Sequence, residues 1–300
     1  MGFSKEELEK LRQAGKIAAE VRETMKKTVR ENMLILEVCE KTETMIRKLG
    51  AKPAFPCNVS INEIAAHYTS PPNDENRIPR GSIVKVDVGT HIDGYVADTA
   101  VTVCFNPEYD AMVAAAEDAL KTAVETLRPG IFTSKLGTAI QKTIESHGFK
   151  PVSNLTGHQV GRYLLHAGRS LPNVFHLSTT RLHEGEVYAI EPFVTLKEAA
   201  GKVGNGKEIT IFKLKKHKAM QTSSAKQLLQ HMEMNFRTLP FAERWLLQSP
   251  LKNKYKDAFK EIRASHCLTE YPIFVEVSGK PVAQAEHTLL LTANGCEVIT

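Results

Sequence analysis

The stretches "GSIVKVD" (residues 81–87) and "GEVYAIE" (residues 185–191) decide how the chain is read. Each runs glycine, a polar residue, apolar residues, and then an acid six positions after the glycine. The two acids, Asp87 and Glu191, stand 104 residues apart. Burying an unpaired charge is costly, so an apolar strand that closes on a carboxylate needs a reason. A chain that does so twice points to a shared one.

Outward from Asp87 the chain reads as helix, helix, strands. Ser4 and Glu7 form a capping box, after which Leu8, Leu11, Gly15, Ala18, Val21, Met25 and Val29 recur at helical spacing. A second helix is expected from about Met33 to Leu49, stopped at Gly50. "AKPAFPCNVSI" (51–61) reads as a turn followed by a strand. After a Pro-rich loop come "SIVKVDVG" (82–89) and "YVADTAVTVCF" (95–105), two strands around the hairpin turn Asp93-Gly94. With that turn, residue 92 faces 95 and residue 89 faces 98. Asp87 and Asp98 then share one face of the sheet as diagonal neighbours.

Outward from Glu191 the pattern returns. "DAMVAAAEDALKTAVETL" (110–127) and "TSKLGTAIQKTIESHG" (133–148) are amphipathic helices. "LGAKP" (49–53) and "HGFKP" (147–151) repeat at a shift of 98, as do Arg30 and Arg128. An internal duplication follows, packed as two related halves. In the second half Glu191 takes the part of Asp87, and Glu286, on the last strand, that of Asp98. The partners of "AIEPFVTL" (189–196), namely "PIFVEV" (272–277) and "PVAQAEHTLLLT" (281–292), come only after an interruption. That interruption holds "GKVGNGKEITIFKLKKHK" (201–218), expected as a hairpin, and helices around 223–235, 240–247 and 253–264. Residues 197–271 carry 15 Lys/Arg against 7 Asp/Glu, whereas the remainder carries 24 against 27. The expected architecture is an α/β (α+β) domain formed by residues 1–195 together with 272–300 and built of two pseudo-symmetric helix–helix–strand halves, with an inserted basic helical subdomain at 196–271.

The 300 residues, 42% hydrophobic and 24% charged, are ordinary for a globular protein, and no apolar run reaches membrane-spanning length. The polar start "MGFSKEELEK" is neither a signal nor a transit peptide, and Glu6 breaks the myristoylation pattern. Five scattered cysteines without a CxxC fit a reducing cytoplasm. Neither a GxxxxGK[ST] nor a strand-following GxGxxG is present, which leaves nucleotide binding unsupported.

Four carboxylates gathered between two halves repel one another unless protonated or neutralised by cations. A pair of divalent metals does that for four. A histidine is the usual companion, and "LTGHQVGRYLLHAG" (155–168) offers His158 and His166, where the first half has His67. The set Asp87, Asp98, His158, Glu191 and Glu286 is oxygen-rich with one nitrogen, which favours Mn, Fe(II), Co or Zn. The bland reading stands beside it: an Asp near a turn is ordinarily surface or cap chemistry, and a lone histidine ordinarily structural.

"VDVGTHIDGYVADTAVTV" (86–103), "GHQVGRYLLHAG" (157–168), "AIEPF" (189–193) and "AQAEHTLLL" (283–291), in that order, resemble the methionine aminopeptidases. The helical insertion makes the chain similar to the type 2 branch in its short, archaeal-like form. The resemblance implies the pita-bread fold, a cytoplasmic monomer and removal of N-terminal methionine from nascent chains with a small second residue. It implies two divalent ions, with Asp87 chelating one, Asp98 and Glu286 bridging both, and His158 and Glu191 completing the shell of the second. It implies substrate-binding and catalytic roles for His67 and His166, and a methionine pocket at Phe55. Glu191 is the candidate proton acceptor. Met1-Gly2 would make the chain a substrate of its own activity. The rivals are a prolidase or aminopeptidase P of the same fold, and a non-catalytic binder of RNA or ribosomes. The basic insertion is the candidate ribosome-docking surface; neither a membrane nor a sequence-specific nucleic acid is expected as a partner.

Overall fold

A computed structural model describes residues 3–300, so the Met1-Gly2 expectation lies outside the described residues. The first helix, Lys5–Thr28, begins in the expected capping box and buries Leu11, Ala14, Ala18, Val21 and Met25. Gly15 belongs to this face for a steric reason: a Cβ there would lie 2.1 Å from the Ile299 carbonyl oxygen, where the C-terminal segment crosses the helix. The second helix spans Ile35–Lys48.

The hairpin forms as its sequence dictates. Strand Ile83–Ile92 pairs with Tyr95–Cys104, Ile92 facing Tyr95 and Gly89 facing Asp98. Asp93 and Gly94 both carry positive φ, 51° and 87°, which is the turn that matches strand twist. Strand Asn58–Ile61 covers the other edge, with Asn58 opposite Asp87.

In the second half, helices Asp110–Thr126 and Thr133–Ser146 pack behind strand Val187–Ile190. That strand pairs with Thr156–Gln159 on one side and His287–Thr292 on the other. Ile190 faces His287 and Phe193 faces Gln284, so Glu191 lies opposite Glu286. In the first half Asp87 lies opposite Ala100.

The halves join along a seam where Ala100 pairs antiparallel with Glu286. Thr288 Oγ1 donates to the Asp98 carbonyl (2.8 Å) and accepts from the Asp98 N–H (2.7 Å). Thr102 Oγ1 treats Gln284 identically, at 2.6 and 2.9 Å. Superposing Asp87 on Glu191 therefore equates Ala100 with Glu286, Asp98 with Gln284, and Thr102 with Thr288. The pseudo-twofold axis runs between Ala100 and Glu286. One expectation is corrected: Glu286 is the counterpart of Ala100, not of Asp98, because the cross-strand register offsets them by two residues.

The insertion builds its own apolar cluster around Phe212, Leu228, Met232, Phe241, Tyr255 and Phe259. The expected hairpin at 201–218 is instead one strand, Val203–Leu214, which pairs with Leu268–Glu276. Neither Gly204 nor Gly206 has positive φ. A Cβ at Gly206 would come within 2.5 Å of the Ile273 side chain, so this glycine serves close strand approach rather than a turn. Helices Ser223–Phe236 and Tyr255–Ala264 form as expected. Around 240–247 the chain makes a short strand, Phe241–Ala242, which pairs with Ile211 and Phe212, and a 3₁₀ turn, Glu243–Gln248, in place of the expected helix. Strand Leu268–Glu276 also pairs with Ile64–Ala66 of the first half, so the strand that returns from the insertion borders the ground just before His67.

Candidate metal centre

Phe55, His67, Asp87, Asp98, His158, His166, Glu191 and Glu286 all line one cavity at the seam. Strand alternation aims Asp87 and Asp98 into it, and the antiparallel pairing across the axis brings Glu191 and Glu286 to meet them. His158 enters from strand Thr156–Gln159, opposite Ala189. Its Nε2 lies 3.6 Å from Asp98 Oδ2 and 3.5 Å from Glu191 Oε1. Donor atoms of Asp98, His158 and Glu286 lie within 4.8 Å of one another. Asp87 Oδ2 accepts from Asn58 Nδ2 at 3.4 Å, and Glu286 Oε2 from Gln284 Nε2 at 3.2 Å.

The acids are held at electrostatic cost. Burial pushes Asp87 up to about 7, against the pull of hydrogen bonds to Asp98 and Asn58. Burial, and then repulsion from Asp87 and Glu191, raises Asp98 well above the carboxylate range. Glu286 is raised by burial and by Asp98, Glu191 and Asp87; Glu191 by burial and Asp87. His158 falls to about 3 through burial and the neighbouring His166, so its imidazole is neutral. Asp87 Oδ1 and Asp98 Oδ1 are buried without a partner among the described residues. Buried polar atoms are ordinarily satisfied, so two orphaned carboxylate oxygens within one cavity call for a further group. Hard oxygen donors with one imidazole suit a divalent cation, and the residues fit it.

The other two histidines flank this cluster. The His166 ring sits 4.3 Å from that of His158, at 66°. Burial, and then the charge of Lys213, lowers its basicity. The His67 ring packs 4.5 Å from Phe274 and 5.8 Å from Tyr271. Its Nδ1–H donates to the Pro272 carbonyl at 3.4 Å, and burial brings it down to about 4. Phe55 packs against Gly89, where a Cβ would stand 2.1 Å from the ring.

Sequence reasoning missed Asn58, Ala66, Leu165, Ile211, Pro240 and Tyr271, which complete the wall. Asn58 was within reach, since pairing "CNVS" against "KVD" sets it opposite Asp87. Ile211 and Pro240 come from the insertion and Tyr271 from its return strand, and no periodicity marks how those dock.

Residues 9–215 match the model of metallopeptidase family M24. The chain is 44% identical to the methionine aminopeptidase of Methanocaldococcus jannaschii over 292 residues, covering 97% of this chain and 98% of the relative. Among solved structures it is similar to a methionine aminopeptidase from Thermotoga maritima, with TM-score 0.72 and 25% identity over 100% of this chain and 98% of that one. A thermophilic Arx1 shares the fold, with TM-score 0.84 at 17% identity, covering 99% of this chain and 91% of that one.

Proposed function

The chain belongs to metallopeptidase family M24, among the methionine aminopeptidases, and from that premise we propose a centre of two divalent ions that acts on nascent chains whose second residue is small. The observation that carries the reading is the convergence of Asp98, His158 and Glu286 donors within 4.8 Å beside orphaned carboxylate oxygens. Asp87, Asp98, His158, Glu191 and Glu286 would together hold the ions. Co, Mn, Fe(II) and Zn all suit these donors.

When bound, divalent ions neutralise the acids and lower the pKa of a water molecule toward neutrality. Glu191 accepts the proton as water attacks the scissile carbonyl, and passes it to the leaving amine. His67 is neutral at pH 7, and its Nδ1–H is directed at Pro272, which leaves Nε2 to accept the N–H of the substrate amide. His166, also lowered, donates to the developing oxyanion. A well-placed donor of this kind contributes roughly 3 kcal/mol. The Phe55 side of the cavity takes the thioether side chain, whose flexibility fills irregular apolar space.

Beyond the site, residues 196–271 are proposed as a separable insertion, and its basic surface as a contact for the ribosome. No helix among the described residues is long and apolar enough to cross a membrane. A cytoplasmic monomer is the state that suits this reading. The test is turnover of Met-Ala and Met-Gly peptides by metal-free protein titrated with each ion, with Xaa-Pro peptides as the contrast. Activity should appear with the ions, be complete at two per chain, and be lost in Asp98→Ala. Undiminished turnover by that variant, or by the apo protein, would refute it.

A further inference from the structure

His67 is held in a backbone conformation that side-chain-bearing residues rarely adopt, with φ 68°. Such a residue stays there only where its surroundings fix it. The fixing group comes from the insertion, 143 residues away: Thr210 Oγ1 donates to the His67 carbonyl at 3.1 Å. The same hydroxyl accepts from the Thr69 N–H at 3.3 Å, closing a staple around Tyr68. Arg244 continues the grip, donating to Thr69 Oγ1 and to the Ser70 carbonyl, each at 2.8 Å.

Thr210 reaches this position through a β-bulge. Along the pairing of Val203–Leu214 with Leu268–Glu276, Ile209 opposes Pro272 and Ile211 opposes Tyr271, which leaves Thr210 as the extra residue. Pro272 has no N–H to give to the ladder, so the irregularity falls where regular pairing would already fail. A bulge turns a side chain out of the normal alternation, and here it does two things at once. It aims the Thr210 hydroxyl at the His67 backbone and lets Ile211 line the cavity. The Pro272 carbonyl at the same place receives the His67 Nδ1–H. Backbone and ring of one histidine are thus both held at the shift of register between Ile209 and Ile211.

We infer that Thr210 is a positioning residue for His67, and that the bulge at Thr210 is the device by which the insertion tunes the site. The inference rests on the substrate-binding role proposed for His67. Its test compares metal-loaded wild type, Thr210→Val, Thr210→Ser, His67→Asn and the double variant Thr210→Val/His67→Asn on a Met-Ala peptide. The His67 imidazole is followed by NMR with labelled histidine. Thr210→Val should lower kcat about tenfold with KM within about twofold, because a displaced group costs the transition state more than the ground state. Thr210→Ser should restore the rate, and Thr210→Val should add nothing to His67→Asn. Thr210→Ala takes the same place in the comparison should the valine variant not fold. A wild-type kcat with an unmoved His67 resonance in Thr210→Val, or losses that simply multiply in the double variant, would overturn the inference. Full activity of His67→Asn would instead remove the role proposed for His67, and the resonance in Thr210→Val would then decide the positioning by itself.

Discussion

Asp87 and the buried histidines pull the stability of the metal-free protein in opposite directions across one pH range. The native carboxyl of Asp87 titrates near 7, far above its ordinary 3.8. Between those values the unfolded chain has lost a proton that the native chain retains, so stability falls as pH rises. His67 and His91 titrate near 4, below the ordinary 6.5. Between 6.5 and 4 the unfolded chain takes up protons that the native chain refuses, so their contribution is lost as pH falls. His91 refuses because it is buried and then because Lys52 is near; its Nδ1 also accepts the Gly94 N–H at 3.1 Å in the hairpin turn. Asp87→Asn deletes the first effect and keeps the second. Its apo melting temperature should therefore climb more steeply with pH between 4 and 7 than that of the wild type, as read by thermal melts in chelator. At this scale the sequence was informative wherever alternation governs. Asp87 and Asp98 follow from the period of the strand and one turn. Glu286 is legible as a ligand candidate but its counterpart is not, because the register across the seam depends on pairings no local pattern records.

Among the elements, the hairpin and the four main helices of the two halves were legible because each carries its own periodicity and its own stop. The segment 201–218 was not. Its glycines read as turn residues, whereas Gly206 is small to let Ile273 approach. The seam strands carry a symmetry that can be tested directly. Thr102 and Thr288 each satisfy the N–H and the C=O of one residue in the opposite half, Gln284 and Asp98 respectively. Replacing either by valine keeps the shape and strands two buried main-chain groups. Each substitution should cost about 1–3 kcal/mol in urea unfolding. Thr288→Val should also impair turnover more than Thr102→Val, because its partner is itself one of the acids of the cavity, whereas Gln284 meets one only through its side-chain bond to Glu286. Equal losses of activity from both variants would speak against the placement of Asp98 in the centre.

For the molecule as a whole, the duplication could be read because it survives as offsets of 98 and 104 in helix ends and acids. How the insertion meets the first half could not, since that contact is made by buried pairs with no spacing rule. Arg244 bonds Glu43, and Trp245 Nε1 donates to the same carboxylate at 2.6 Å, joining parts of the chain some two hundred residues apart. The charge of the insertion allows a separate prediction. Neutralising Lys213, Lys215, Lys216 and Lys218 should weaken salt-dependent co-sedimentation with ribosomes while leaving folding intact, and binding indifferent to salt would count against the contact. The seam itself limits how the enzyme can move. Main chain is bonded to main chain where the halves meet at Ala100 and Glu286. A movement that parted or slid the halves along that line would have to break those bonds. Any room a bound chain needs must therefore come from the side chains and loops around the cavity, while the two halves keep one spacing.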